Sequence, residues 1–198
     1  MKLHLIRHGE TVTSGRTYAG RSDVALTETG HAQARAISRH LETRPIALIA
    51  ASPSARARDT AQPLAEALGL DPVVLPDLLE FDFGDLEGQP KAALGLKLRK
   101  THARAPVPGG ESLLDVWIRA ERVLSALHAA VTSTETEVAV VGHFWINRMI
   151  HGRATGLSFD AACRSRRYRP QTGSVVTLDA SLESESNHFP KKGLSKSL

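Results

Sequence analysis

Four short apolar runs, at residues 2–7, 46–51, 137–142 and 174–178, constrain this chain more than any other feature. They are rich in Val, Ile, Leu or Ala and lack the polar alternation of a half-exposed strand, so they suit strands covered on both faces. Helical stretches lie between them, and that alternation argues for an α/β fold. Two of the runs end alike. Leu3-His4-Leu5-Ile6 leads into Arg7-His8-Gly9-Glu10, and Val138-Ala139-Val140-Val141-Gly142 leads into His143. In open α/β sheets ligands gather outside the carboxyl ends of the strands, where turns deliver side chains to one point.

The intervening segments carry helix signals. Thr27 is placed to cap a helix running to about Glu42, with Ala34, Ala36, Ile37 and Leu41 apolar and Arg35 and Arg39 facing out. Ser52-Pro53 reads as a second helix start, since a hydroxyl accepts an orphan amide and proline fits the first helical position; Gly69 ends that helix. Ser112-Leu113-Leu114-Asp115 resembles a capping box, followed by the stripe Leu113, Val116, Ala120, Val123, Leu127 and Val131. Between Glu80 and Gly110 the pattern is irregular, with a helix expected from about Pro90 to Lys100 as a cap over the mouth of the site.

The chemistry implied by Arg7-His8-Gly9 is phosphoryl transfer. A neutral imidazole is a nucleophile, a neighbouring guanidinium grips phosphoryl oxygens with a planar fork of donors, and glycine lets the backbone pass close by. His8 is the expected nucleophile; its attacking nitrogen must be unprotonated, so the other ring nitrogen needs a fixed acceptor. In Leu79-Glu80-Phe81-Asp82-Phe83-Gly84-Asp85-Leu86-Glu87-Gly88 the carboxylates Glu80, Asp82, Asp85 and Glu87 compete for an acid–base role. Arg56 and Arg58 compete for a second phosphate contact.

In order and spacing, these motifs together with Ser52-Pro53-Ser54-Ala55-Arg56 and Pro108-Gly109-Gly110-Glu111-Ser112 resemble the histidine phosphatase superfamily, in its branch related to cofactor-dependent phosphoglycerate mutase. The likeness runs from about Lys2 to about Leu178. It implies a three-layer α/β/α sandwich with a mostly parallel central sheet and a small helical cap insertion at about 81–110. It further implies a single domain over 1–180, with 181–198 a loose tail.

For the site, the resemblance implies that His8 becomes phosphorylated and that a carbonyl near Gly9 orients its ring. It implies that Arg7, Arg56 and His143 surround the transferred group, with Arg56 preferred over Arg58 by its spacing from Ser52. Glu80 matches the acid–base position, and apolar neighbours Leu78, Leu79, Phe81 and Phe83 are expected to raise its affinity for protons. Ser14, Arg16, Gly20, Arg21 and Arg148 are expected phosphate or substrate contacts, Glu10 a structural residue, and Glu111 a residue that orients the start of a helix.

The chain also departs from its relatives. Ser14 stands where many members carry asparagine, and Phe144-Trp145 follow the second histidine where glycine is usual. Two aromatics there narrow the pocket or form a stacking wall for a planar substrate group. The turn after Glu80 looks like the phosphatase version rather than the mutase one, and Tyr18-Ala19-Gly20-Arg21-Ser22-Asp23 is similar to that of α-ribazole and small broad-specificity phosphatases. Hydrolysis of a small phosphorylated metabolite is therefore expected, with α-ribazole 5′-phosphate as a named candidate. The alternatives are a 2,3-bisphosphoglycerate-dependent mutase and a noncatalytic anion-binding or regulatory module.

Bulk properties fit this reading. The 198 residues are 41% hydrophobic, enough for one core, and the net charge of +4 is a mild bias toward anions. The densest basic stretch, Arg164 to Arg169, reads as a solvated face, with contact to nucleic acid or to an anionic substrate at the rim as the alternatives. Cys163 is the single cysteine, so no internal disulfide is expected, and no run suits a membrane span or a signal peptide. Nine histidines offer no metal-ligand spacing, and no Gly-x-x-x-x-Gly-Lys loop occurs. The expectations are a cytoplasmic enzyme with no cofactor or metal, a small-molecule phosphate ester as partner, no nucleic acid and no membrane, with a homodimer left open.

Overall fold

A computed structural model describes residues 1–94, 98–131, 133, 135–165 and 168–180. The expected tail, 181–198, lies outside the described residues, as do Arg166 and Arg167 of the basic stretch. In chain order the elements are β1 (Lys2–Arg7), α1 (Glu28–Leu41), β2 (Ile46–Ala51), α2 (Ala55–Leu68), β3 (Val73–Val74), α3 (Lys91–Leu94), α4 (Leu98–Thr101), α5 (Leu113–Ala130), β4 (Glu137–Gly142), α6 (Phe144–Ala154), α7 (Phe159–Arg164) and β5 (Val175–Asp179). The strands form one five-stranded sheet in the order β3-β2-β4-β1-β5, parallel except for β5, which runs antiparallel to β1.

Strand alternation divides the core in two. Leu3, Leu5, Ala50, Val138 and Val140 pack on one face with α5, α6 and α7; Ile6, Ile49, Ala51, Ala139 and Val141 pack on the other with α1 and α2. That is the three-layer α/β/α arrangement, and the two buried faces explain why the runs of β1, β2 and β4 carry no polar alternation, whereas β5, expected to be covered on both faces, is only partly buried at the sheet edge. No helix among the described residues is long and apolar enough to cross a membrane.

Helix ends follow the sequence with one exception. Thr27 caps α1 by accepting from the Gly30 amide, Ser112 and Asp115 form the reciprocal box at the start of α5, and Gly69 ends α2 with φ +64°. On α1, Ala36 is exposed and Ser38 is buried in its place, its hydroxyl donating to the Pro63 carbonyl at 2.9 Å. The exception is α2. Its N-cap is Ser54, two residues later than expected, and the amide of Ala55 is met by Asp23 Oδ1 at 2.9 Å, from a distant loop. Ser52 is thereby released for a different bond. In the cap region, α3 and α4 stand where one helix was expected, and residues 95–97 between them lie outside the described residues.

Candidate active site

The sheet order creates the crevice. β1 and β4 are parallel neighbours, paired from Lys2↔Glu137 to Arg7↔Gly142, yet the chain leaves β1 toward α1 on one face and β4 toward α6 on the other. Between such departures the carboxyl ends are uncovered. The His8 amide donates to the Gly142 carbonyl at 3.0 Å, which sets His8 beside His143 with ring centroids 5.0 Å apart.

His8 is 7% exposed and lines the cavity. Its Nδ1 lies 2.7 Å from the Gly9 carbonyl, and a carbonyl only accepts, so Nδ1 carries the hydrogen. Burial, reinforced by the nearby charges of Arg56 and Arg7, pushes the imidazole down to about 3. The ring is therefore neutral, with Nε2 bearing a free lone pair, the state a nucleophile needs. The carbonyl that enforces this is itself fixed: the Gly9 amide donates to Thr60 Oγ1 at 2.9 Å. A Cβ on Gly9 would stand 2.5 Å from the Gly30 carbonyl oxygen, so glycine is needed for β1 to pass the start of α1.

Arg56 is 1% exposed and reaches the cavity from the first turn of α2, whereas Arg58 is exposed. Its Nη1 donates to the Ser22 carbonyl at 2.7 Å, its Nη2 to the Gly20 carbonyl at 2.8 Å and its Nε to His143 Nδ1 at 3.3 Å. Three of the five guanidinium hydrogens are thus held by protein, leaving one on each Nη. Because Nδ1 of His143 accepts, its Nε2 carries the hydrogen and donates to Ser52 Oγ at 2.8 Å. His143 is wholly buried, with burial as the largest cause holding it well below the usual imidazole range, and it is not part of the cavity wall. Both of its ring nitrogens are thus bonded to protein, Nδ1 to Arg56 and Nε2 to Ser52, so beside His8 it fixes the Arg56 guanidinium.

Arg7 donates from Nη1 to the Pro170 carbonyl at 2.9 Å and lays its guanidinium over the Phe144 ring at 5.5 Å. Its buried Nε has no partner among the described residues. Burial works against the charge on Arg7 and Arg56 alike, and Glu80 is the foremost opposing charge for each.

Of the four competing carboxylates, Glu80 alone lines the cavity. Asp82 Oδ1 accepts from the Gly84 amide at 2.9 Å, and Glu87 ties the loop before α1 through Gly20 and Ser22. The surroundings of Glu80 differ from the expected apolar ones. Its oxygens accept from the amides of Phe81 at 2.9 Å, Phe144 at 3.0 Å and Trp145 at 3.0 Å, so the carboxylate caps the start of α6. Arg119 holds this segment from below, donating to the carbonyls of Asp77, Leu79 and Glu80 and pairing with Glu111 at 2.9 Å. Nothing in the motifs pointed to Arg119, although an arginine set into the buried stripe of α5 was a readable signal. Glu111 also accepts from the Asp82 amide at 3.0 Å, joining the helix start to the acid-bearing turn.

Several expected contacts are placed otherwise. Arg148 is 2% exposed and spends its guanidinium on the carbonyls of Ala162 at 3.0 Å, Tyr168 at 2.7 Å, Cys163 at 3.2 Å and Ser165; it lines the cavity but organises the segment after α6. Arg21 pairs with Glu111 at 3.3 Å and Asp82 at 3.5 Å, Arg16 is exposed, and neither lines the cavity. Gly20 supports Arg56 and Glu87 through its backbone, and a Cβ there would meet the Phe81 carbonyl at 2.0 Å. Ser14 lines the cavity with its hydroxyl held by the Thr11 amide at 2.9 Å. Phe144 and Trp145 line it too, edge to face with centroids 5.1 Å apart. Residues sequence reading missed include Ser52, Thr60 and Lys91, whose roles come from chain-distant partners.

The cavity above these groups measures about 1370 Å³, roomy enough for a phosphorylated metabolite. A family model described as the histidine phosphatase superfamily (branch 1) matches residues 3–186. Over 129 residues the chain is 41% identical to a bifunctional protein of Mycobacterium tuberculosis, covering 61% of this chain and 35% of that protein, so it spans about a third of that relative's length. It is 30% identical over 188 residues to an Erwinia tasmaniensis protein named a probable phosphoglycerate mutase, covering 90% of this chain and 85% of the relative. Among solved structures, a mycobacterial glucosyl-3-phosphoglycerate phosphatase in complex with VO3 superposes with a TM-score of 0.81 at 28% identity, over 89% of this chain and 92% of that one. Sequence and fold converge: the chain belongs to branch 1 of the histidine phosphatase superfamily.

Proposed function

We propose that the protein is a phosphomonoesterase that hydrolyses a small phosphorylated metabolite through a phosphohistidine on His8. The observation that carries the proposal is the neutral His8 ring, its Nδ1 hydrogen tied to Gly9 and its flanks occupied by Arg7 and Arg56. Nε2 attacks phosphorus, the ester P–O bond breaks, and the departing oxygen takes a proton from Glu80, which enters this step as the carboxylic acid. Water then attacks the phosphohistidine, Glu80 accepts its proton, and the P–N bond breaks to return the lone pair to Nε2. Arg7 and Arg56 balance the charge that spreads over the equatorial oxygens; losing one such clamp costs about a hundredfold to a thousandfold in rate. His143 and Thr60 act as positioning residues, one through Arg56 and the other through Gly9.

The cap, 81–110, governs which ester enters, and the wall of Phe144 and Trp145 suits a planar leaving group, which keeps α-ribazole 5′-phosphate as the named candidate. A mutase reading draws on the Erwinia relative's name. The test is turnover of p-nitrophenyl phosphate in the presence of EDTA, with acid quenching to trap phosphate on His8. Loss of turnover on chelation, or absence of label on His8, overturns the proposal. Isomerisation of 3-phosphoglycerate when 2,3-bisphosphoglycerate is supplied would instead favour the mutase.

A further inference from the structure

Arg7 is the less firmly bonded of the two guanidiniums that flank His8. Arg56 spends hydrogens on the Ser22 carbonyl, the Gly20 carbonyl and His143, whereas among the described residues the Arg7 side chain donates to the Pro170 carbonyl alone, at 2.9 Å from Nη1. Burial is the foremost cause working against the Arg7 charge, and the neighbouring Arg56 adds to it. A half-buried cation with few bonds is costly unless some other favourable field meets it.

Phe144 supplies such a field. The Arg7 guanidinium carbon lies over its ring, 5.5 Å from the centroid, within the range at which the electron-rich face of an aromatic ring attracts a cation. The ring is also braced. Phe144 is the first residue of α6, its amide donates to Glu80 Oε2 at 3.0 Å, and its ring meets that of Trp145 at 89° with centroids 5.1 Å apart. Trp145 is fixed in turn: its amide donates to Glu80 Oε1 at 3.0 Å, and Arg148, itself held by four carbonyls, lies over the indole at 5.9 Å from its centroid. A row of guanidinium, ring, ring and guanidinium therefore runs from Arg148 to the neighbour of His8.

We propose that Phe144 is a positioning residue for phosphoryl transfer: its ring face holds the Arg7 guanidinium at the phosphoryl site through a cation–π contact, while its amide holds Glu80. The charge clamp and the acid–base group are thereby tied to one residue. The inference deepens the phosphomonoesterase reading and rests on it for the phosphoryl group that Arg7 meets. It also divides the aromatic wall. The face of Phe144 that Arg7 covers is closed to a substrate ring, so stacking falls to the other faces of the pair.

Graded fluorination of the Phe144 ring tests this, because fluorine withdraws electron density from the ring face and leaves the shape of the ring and the backbone amide nearly unchanged. Phenylalanine at 144 is replaced by its 4-fluoro, 3,5-difluoro and 3,4,5-trifluoro derivatives, and binding of inorganic phosphate, which has no leaving group to stack, is read by calorimetric titration. Affinity falls stepwise with each replacement, by about threefold to tenfold over the series, and kcat/KM for p-nitrophenyl phosphate falls with it. Phe144→Tyr, which keeps the ring, stays within about twofold of the wild type; Phe144→Leu loses at least as much as the trifluoro variant. Phosphate affinity that ignores fluorination overturns the proposal, as does a Phe144→Leu variant that binds phosphate as the wild type does. A fall in kcat/KM at constant phosphate affinity also overturns it, since the ring would then act on the leaving group and not on Arg7. A stepwise fall in phosphate affinity with no label on His8 upholds the contact with Arg7 and removes the hydrolytic reading; absence of phosphate binding by the wild type removes both.

Discussion

β1 carries a histidine near each end, and the two are treated in opposite ways. At the amino end His4 lies between Thr177 Oγ1 and Glu137 Oε2, each at 2.8 Å, and Glu137 is also bonded by Arg44 at 2.9 Å and Lys2 at 3.3 Å. Opposite charges close on one another there, and the Arg44 bond is the foremost cause holding the Glu137 carboxyl at about 2. Past the carboxyl end His8 has a carbonyl for its partner and two guanidiniums for neighbours, and the carboxylate lining that part of the cavity is spent on the amides of α6. One end is compensated by the fold. The other is left for a ligand to compensate, which is where perturbed groups mark function rather than stability.

The sharpest way to break this contrast is His8→Asn. If the carboxyl end serves chemistry, p-nitrophenyl phosphate turnover falls by at least about a thousandfold while stability at neutral pH stays within about 1 kcal/mol. A loss of stability with activity retained would reverse the assignment of the two ends. Glu137→Gln is the mirror experiment. It weakens a buried carboxylate's bonds to Lys2, His4 and Arg44, so denaturant unfolding should report a loss of about 2 kcal/mol, with kcat/KM unchanged because the pair lies at the far end of β1. A large fall in kcat/KM there would show that the ends are coupled.

Acid separates the two ends further. His8, held at about 3, stays neutral in the folded state while the unfolded chain takes up a proton below about 6.5, so stability that is full above that value is lost as pH falls toward 3. His4 is lowered in the same direction, with burial as the first cause. Glu137 contributes in a different window: its stabilisation is present above the ordinary carboxylate value and is lost as pH falls from about 4.5 to about 2. Between pH 6 and 5 the wild-type stability should therefore fall more steeply than that of His8→Asn, by up to about 1.4 kcal/mol per pH unit, whereas Glu137→Gln keeps the steep slope there. Equal slopes in His8→Asn and wild type would mean that His8 is protonated in the folded state, contrary to a nucleophile.

How much of this was legible depended on whether one segment held all its partners. β1, β2 and β4 were readable because burial on both faces leaves a bare apolar run; β5 was read from the same pattern although, at the sheet edge, it is only partly covered, and Val73–Val74 was not read, being two exposed residues at the other edge. Arg7 and His8 were readable because their chemistry sits in adjacent residues at a strand end. The partners of Arg148 and Arg21 were not readable because a sequence does not tell whether a guanidinium is satisfied by carbonyls, by carboxylates or by a ligand. Glu80 was found by its place in a motif, but its amide partners Phe144 and Trp145 lie more than sixty residues away. Ser52 shows the same limit most clearly: its pairing with Pro53 has every local mark of a helix cap, yet Asp23 meets the helix and Ser52 meets His143.

Ser52 also supplies the finest test of the comparison. Its hydroxyl accepts from His143 Nε2 and so holds the ring in the orientation that presents Nδ1 to Arg56. In Ser52→Ala the Ser54 hydroxyl, 3.3 Å from the same Nε2, remains as a partial substitute, so the buried N–H is not left without a partner. The consequence is a fall in kcat/KM of only about threefold to tenfold, corresponding to about 1 kcal/mol. It should fall on the transferred group rather than on folding: Ser52→Thr restores activity by restoring the hydroxyl, and the double variant with Arg56→Lys loses no more than Arg56→Lys alone, since the serine acts through that guanidinium. Additive losses in the double variant would show that Ser52 reaches the reaction by a route other than His143 and Arg56.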